Sequence, residues 1–103
     1  MVHYAATTPG TVIEALADPT RRQIVTLLSG GPLRAGELAA ATGMSAPAIS
    51  RHLRALLAAS VVADERLDTD ARARVFRLRP QSIAAARDWL DEVLTGSAAL
   101  RQP

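Results

Sequence analysis

The sequence contains no cysteine. That excludes disulfides, thiolate metal centres and thiol redox chemistry. It contains no lysine either, so every basic side chain is an arginine. Aromatic residues are reduced to one Trp, one Tyr and one Phe, and the apolar mass is Ala, Leu and Val. No segment approaches the about 18–20 apolar residues of a membrane span. The opening M-V-H-Y-A-A lacks a basic flank and an apolar signal core, so export is not indicated and the cytoplasm is the expected compartment. No nucleophile–base pairing, metal-ligand cluster or phosphate loop is visible, so neither an enzyme nor a cofactor is expected.

What remains is 103 residues, 49% of them hydrophobic, which fits one folded domain with one modest core. A core of small aliphatic side chains is thin for a monomer, and pairing with a second copy is the usual remedy. Net charge is only +2, but its distribution is uneven. Residues 34–79 hold eight Arg against five acids, a net of +3, while residues 1–33 balance and residues 80–103 sum to −1. A basic excess confined to the middle of a chain is an electrostatic footprint for a polyanion.

The middle segment contains S-A-P-A-I-S-R-H-L-R-A-L-L, from Ser45 to Leu57. Ile49, Leu53, Leu56 and Leu57 recur at helical spacing and predict a buried stripe. The opposite face carries Ser50, Arg51 and Arg54, with Ser45, Ala46 and Pro47 at its start and no acid. Guanidinium groups and short polar side chains on one helix face suit a DNA major groove; solvated surface arginines are the plainer reading of the same face. The preceding helix, Glu37–Thr42, is stopped by Gly43, and only Met44 separates Gly43 from the capping Ser45. Helix, Gly-containing turn of about four residues, helix is the helix-turn-helix spacing.

The flanks complete the pattern. Residues 1–10 read as a flexible arm, residues 11–95 as the domain, and residues 96–103 as a flexible tail. A short helix over 11–17 turns Val12, Ile13 and Leu16 inward. Asp18 and Pro19 fit the N-cap and first position of a second helix, with Ile24, Leu27 and Leu28 inward and Gly30-Gly31-Pro32 as its stop. Arg21 and Arg22 are expected to pair locally with Asp18. Leu33 begins a short extended link. After the Arg-bearing helix, Val61-Val62 enters a strand, and R-A-R-V-F-R-L-R, from Arg72 to Arg79, supplies its partner. Strict alternation puts Arg74, Phe76 and Leu78 on one side and Val75, Arg77 and Arg79 on the other. A basic hairpin in this place reads as a wing; a hairpin that only covers the core is the plainer alternative. Pro80–Leu94 is helical, with Ile83, Ala86, Leu90, Val93 and Leu94 along one stripe and Trp89 beside it. That stripe exceeds what a small core can cover. With Val12, Ile13 and Leu16 it is the candidate dimer surface.

These motifs, A-L-A-D-P-T-R-R-Q-I-V-T-L-L, then G-E-L-A-A-A-T-G-M-S-A-P-A-I-S-R-H-L-R-A-L, then the hairpin with V-F-R-L, resemble the ArsR family of winged-helix transcriptional regulators. The resemblance runs from about Ala15 to Leu94. It implies a mainly α fold of about five helices plus a two-stranded wing, a homodimer joined through its first and last helices, and double-stranded DNA as partner. It implies repression at an inverted-repeat operator, often relieved by a metal ion or another effector. Two departures bear on the effector, which is left open. Where some members carry cysteines at the start of the third helix this chain has Arg34 and Gly36, and its last helix offers Asp88, Asp91 and Glu92 without a His. A third departure is Ser60, where the family usually closes the reading helix with Gly. The DNA-binding candidates are Ser45, Ala46, Pro47, Ser50, Arg51, His52, Arg54, Arg72 and Arg74, with His52 either touching phosphate or serving structure. Two other readings also fit: a protein-interaction module that kept the shell, or a metal-responsive repressor with an unrecognised site.

Overall fold

In the computed structural model, which describes residues 9–67 and 74–101, the chain forms five helices and one antiparallel hairpin. Their order is α1 (Pro9–Ala15), α2 (Pro19–Leu28), α3 (Ala35–Thr42), α4 (Ala46–Ala58), β1 (Val62–Arg66), β2 (Arg74–Leu78) and α5 (Pro80–Thr95). Helix α1 begins two residues earlier than the periodicity predicts, so Pro9 and Gly10 belong to it rather than to an arm.

The corner between α1 and α2 is built by three charged side chains. Asp18 is the N-cap of α2, and its carboxylate accepts from the backbone N–H of Thr20 at 2.8 Å and of Arg21 at 3.1 Å. Arg21 and Arg22 do not form the expected ion pairs with it. Their guanidinium groups turn back to the open end of α1. Arg22 Nη1 donates to the carbonyls of Leu16 (2.9 Å) and Ala17 (3.0 Å), and Arg21 Nη1 to that of Ala15 (3.4 Å). A short helix has proportionally many orphan carbonyls, and cations there satisfy them and oppose the helix dipole. This explains why α1 stops at Ala15 rather than running to residue 17.

Helix α4 is the centre of the core. Ile49 and Leu56 are completely buried, and Leu53 nearly so, against Val12, Ile24, Leu38 and Phe76. Its start is fixed by Ser45, whose hydroxyl accepts from the N–H of Ala48 at 3.3 Å, and by Pro47 in the first turn. Gly43, at φ 73°, lets the chain reverse between α3 and α4. The end of α4 is a Schellman closure: Val61 N–H donates to Leu56 O and Ser60 N–H to Leu57 O, with the buried Val61 packed by the same helix end. Ser60 adopts φ 59°, the left-handed conformation that glycine adopts without a Cβ penalty. The carbonyl of Ser60 accepts a 2.6 Å hydrogen bond from the hydroxyl of Ser82, a residue of α5 that is 1% exposed.

The hairpin pairs Val62 with Leu78 and Arg66 with Arg74 at its two described ends. Residues 68–73, including Arg72, lie outside the described residues. Leu33 adds one residue to the sheet by exchanging two backbone hydrogen bonds with Phe76, at 3.0 and 2.8 Å. Alternation holds on β2, with Arg74 and Phe76 on one side, but it does not sort polar from apolar residues. Phe76 joins the core and its neighbour Val75 is also buried, while Arg74 and Arg77 are exposed.

Two expectations about the outer helices need correction. Val12 and Ala15 supply the inward face of α1, so Ile13, about 100° round the helix from Val12, points outward and is 38% exposed. On α5 the inward positions are Ser82 and Ala86, with Ile83 half-buried. Beyond Ala86 the helix outruns the core, and Trp89, Leu90, Val93 and Leu94 are left open. Val12 and Ala86 are therefore used within their own chain and are not part of an open face. After Gly96 (φ 80°) the chain forms a 3-10 turn over Ser97–Arg101 rather than a loose tail.

Two predictions follow from these helix ends. The Ser60→Gly variant is expected to gain about 0.5–1 kcal/mol in urea unfolding, because the left-handed strain is relieved; an unchanged or lower midpoint contradicts this. The N–H of Arg21 holds the Asp18 carboxyl below its ordinary value, outweighing the upward push of partial burial, and the N–H of Thr20 and nearby His52 and Arg21 add to the lowering. A depressed carboxyl stabilises the fold above its unfolded pKa, about 3.9, and that contribution fades as pH falls through the lower folded value. Asp18→Asn, which keeps a capping oxygen, should flatten the acid limb of the stability profile below about pH 5, read by thermal melts from pH 7 to 3.

Candidate nucleic-acid interface

The outer face of α4 begins at its cap. Ser45, Ala46 and Pro47 are exposed at the N-terminal end, and Arg51 and Arg54 follow one and two turns later, also exposed. Neither guanidinium has a hydrogen-bond or ion-pair partner among the described residues. Ser50 is half-buried beside them. The short side chains at the helix start allow close approach of a large surface. The arginines further along present five donors each in a planar fork. The inner stripe holds this face in one orientation, because rotating it outward would expose Ile49, Leu53 and Leu56.

His52 lies between these two faces and is turned to α2. Its Nδ1 accepts from Arg21 Nε at 3.3 Å and lies 3.9 Å from the Asp18 carboxylate, with the side chain 16% exposed. The ring is thus engaged inside the subunit through Nδ1, in keeping with the structural one of its two expected roles. Through Arg21 the ring connects α4 to the carbonyl end of α1. His52 is better described as fixing the tilt of the outer face than as part of it.

The wing arginines are also less free than the sequence implies. Arg74 binds Asp64 through both Nε and Nη2 at 2.7 Å and lies over the Phe76 ring, 4.8 Å from its centroid. Arg77 pairs with Glu65 at 3.2 Å. Each acid sits on β1 diagonally across from its arginine, a pairing that alternation along a single strand does not reveal. A phosphate reaching Arg74 would share it with Asp64.

One cation was not singled out by sequence. Arg34, the exposed residue just before α3, lines a groove of about 610 Å³ together with Ser50, Leu53, Arg54 and Phe76. Its only sequence signal is position: it precedes Glu37 by three, and the Glu37 carboxylate accepts from the Arg34 N–H at 2.8 Å.

The positions that carry thiols in some similar proteins are Arg34 and Gly36, which offer no ligand. On α5, Asp88 is held by Arg87 at 3.1 Å. Among the described residues no three His, Asp or Glu side chains come together. Nor is any described helix long and apolar enough to cross a membrane.

Residues 18–64, from the α2 cap to the first wing strand, match the bacterial regulatory protein, arsR family. The HTH-type transcriptional regulator Rv2034 of Mycobacterium tuberculosis is 45% identical over 96 residues, covering 89% of this chain and 87% of that protein. The transcriptional repressor SdpR of Bacillus subtilis is 47% identical over 55 residues, or 53% of this chain and 61% of that one. Among solved structures, an ArsR family transcriptional regulator, RHA00566, superposes with a TM-score of 0.74 at 29% identity, covering 84% of this chain and 91% of the other. A fold of five helices and a two-stranded hairpin thus goes with sequence and structural relatives that are transcriptional regulators: the chain belongs to the ArsR family of DNA-binding transcriptional regulators.

Proposed function

We propose that the protein is a dimeric repressor that inserts α4 into the major groove at each half of an inverted-repeat operator, acting in the cytoplasm. The observation that carries this reading is the outer face of α4. Arg51 and Arg54 stand exposed without a partner among the described residues, on a helix whose other side is buried in the core. Ser45, Ala46, Pro47 and Ser50 form the close-contact end of the face. Arg51 and Arg54 supply bidentate contacts to guanine edges or phosphates. The hairpin lies along the adjacent backbone, with Arg72 as a further contact and Arg74 shared with Asp64.

Two copies are needed because one helix reads too few base pairs for specificity. The surface for pairing is the outer side of α1 and α5. Ile13, Trp89, Leu90, Val93 and Leu94 are all at least 38% exposed there, with half-buried Leu16 and Ile83 beside them. Water-exposed leucine and tryptophan in one patch favour burial against an equal patch related by a two-fold axis. Repression is supported by the similarity to SdpR.

Operator affinity, titrated against DNA from upstream of its own gene, should fall about 10³–10⁵-fold between 50 and 200 mM salt, as expected for 6–10 phosphates neutralised. Arg51→Ala and Arg54→Ala should each cost about 1–3 kcal/mol of binding with an unchanged thermal midpoint; salt-insensitive binding, or full affinity in both variants, would overturn the assignment. Leu90→Glu should lower the mass in sedimentation from twice 10.9 kDa to 10.9 kDa and abolish high-affinity operator binding. A variant that stays paired would place the interface elsewhere.

A further inference from the structure

The groove between α3, α4 and β2 is only partly explained by DNA binding. It encloses about 610 Å³, within the range of small-molecule sites. Its floor is apolar: Leu53 is 3% exposed, Phe76 4% exposed, and Leu57 half-buried. Its rim is cationic, with Arg34 from the start of α3, Arg54 from α4 and Arg74 from β2.

The three cations are not equivalent. Arg74 is fixed by Asp64 and covers one face of the Phe76 ring. Arg34 and Arg54 have no side-chain partner among the described residues. The one carboxylate in the lining, Glu37, has an oxygen engaged by the Arg34 N–H. Counting Asp64 with Arg74, the groove carries an excess positive charge beside an apolar floor of which half-buried Leu57 is the most open part. A DNA phosphate would meet the rim and leave the floor wet. An anion with a flat apolar body would use both, placing its charge between Arg34 and Arg54 and its body over Leu53, Leu57 and the edge of Phe76.

We propose that this groove binds a small organic oxyanion, an aromatic phosphate or carboxylate. Ser50 and Arg54 line the groove and also belong to the outer face of α4. A ligand paired with Arg54 withdraws that guanidinium from DNA, so occupancy weakens operator binding. This second step rests on the DNA-binding reading; the binding step does not.

The test is an NMR titration of the full-length ¹⁵N-labelled protein with phenyl phosphate as probe. The expected result is saturable shifts of the Gly36, Ser50, Arg54 and Phe76 amides, with inorganic phosphate at equal ionic strength much less effective. Arg34→Gln, an exposed change, should weaken phenyl phosphate about fivefold or more while leaving the other amides in place. Absent or non-saturating shifts overturn the proposal. Equal effects of the two probes overturn it as well, leaving a rim that takes only DNA phosphate. In a parallel operator titration, saturating phenyl phosphate should raise the apparent Kd about fivefold or more. Saturable groove binding with an unchanged Kd would refute the regulatory step alone. Saturable groove binding by a protein that shows no operator affinity at all would refute the DNA reading and leave the site standing.

Discussion

Helix α4 must bury one side to exist and keep the other side bare to be useful, and most of the fold serves that division. Ile49, Leu53 and Leu56 are held by contacts from α1, α2, α3 and the wing. Each of these surrounding elements is too short to be stable alone in water. They persist because they share one apolar helix face. The orientation of Arg51 and Arg54 is thus a by-product of core packing, and it needs no bond to either arginine.

Polar contacts refine what packing sets. Asp18 caps α2, Arg21 and Arg22 close α1, and His52 accepts from Arg21. The cluster ties three helices at one corner with few residues. It also explains why a histidine flanked by arginine-bearing positions does not face outward. On the opposite side of the molecule, Leu33 holds Phe76 by two backbone hydrogen bonds, fixing the base of the wing to the segment that follows α2. The wing is therefore continuous with the helical body at its base.

Much of this was legible in the amino-acid order. The Asp18-Pro19 start, the Gly43 turn, the Ser45 cap and the α4 stripe are local signals, each tied to a specific backbone need. Ser60 was marked only by the resemblance, as a position where glycine is usual, and its left-handed backbone is seen in the structure. The misreadings share one cause, contacts between residues distant in sequence. Ile13 sits on an apolar stripe and was read as inward, but Val12 and Ala15 take the face that the core covers. Arg74 looked free along its own strand, and only the strand register brings Asp64 to it. Arg21 and Arg22 neighbour Asp18 in sequence, yet the carbonyls of α1 lie within reach and have no other acceptor role to fill. Arg34 carried no signal beyond its position three residues before Glu37, because a groove is a property of three elements together.

The hydrogen bond from Ser82 to the Ser60 carbonyl joins the end of α4 to the first turn of α5. At 2.6 Å, with Ser82 1% exposed, it gives the left-handed corner a second tether beside its own backbone bonds. Taking away that hydroxyl would leave the Ser60 carbonyl without this donor at the junction from which the wing departs.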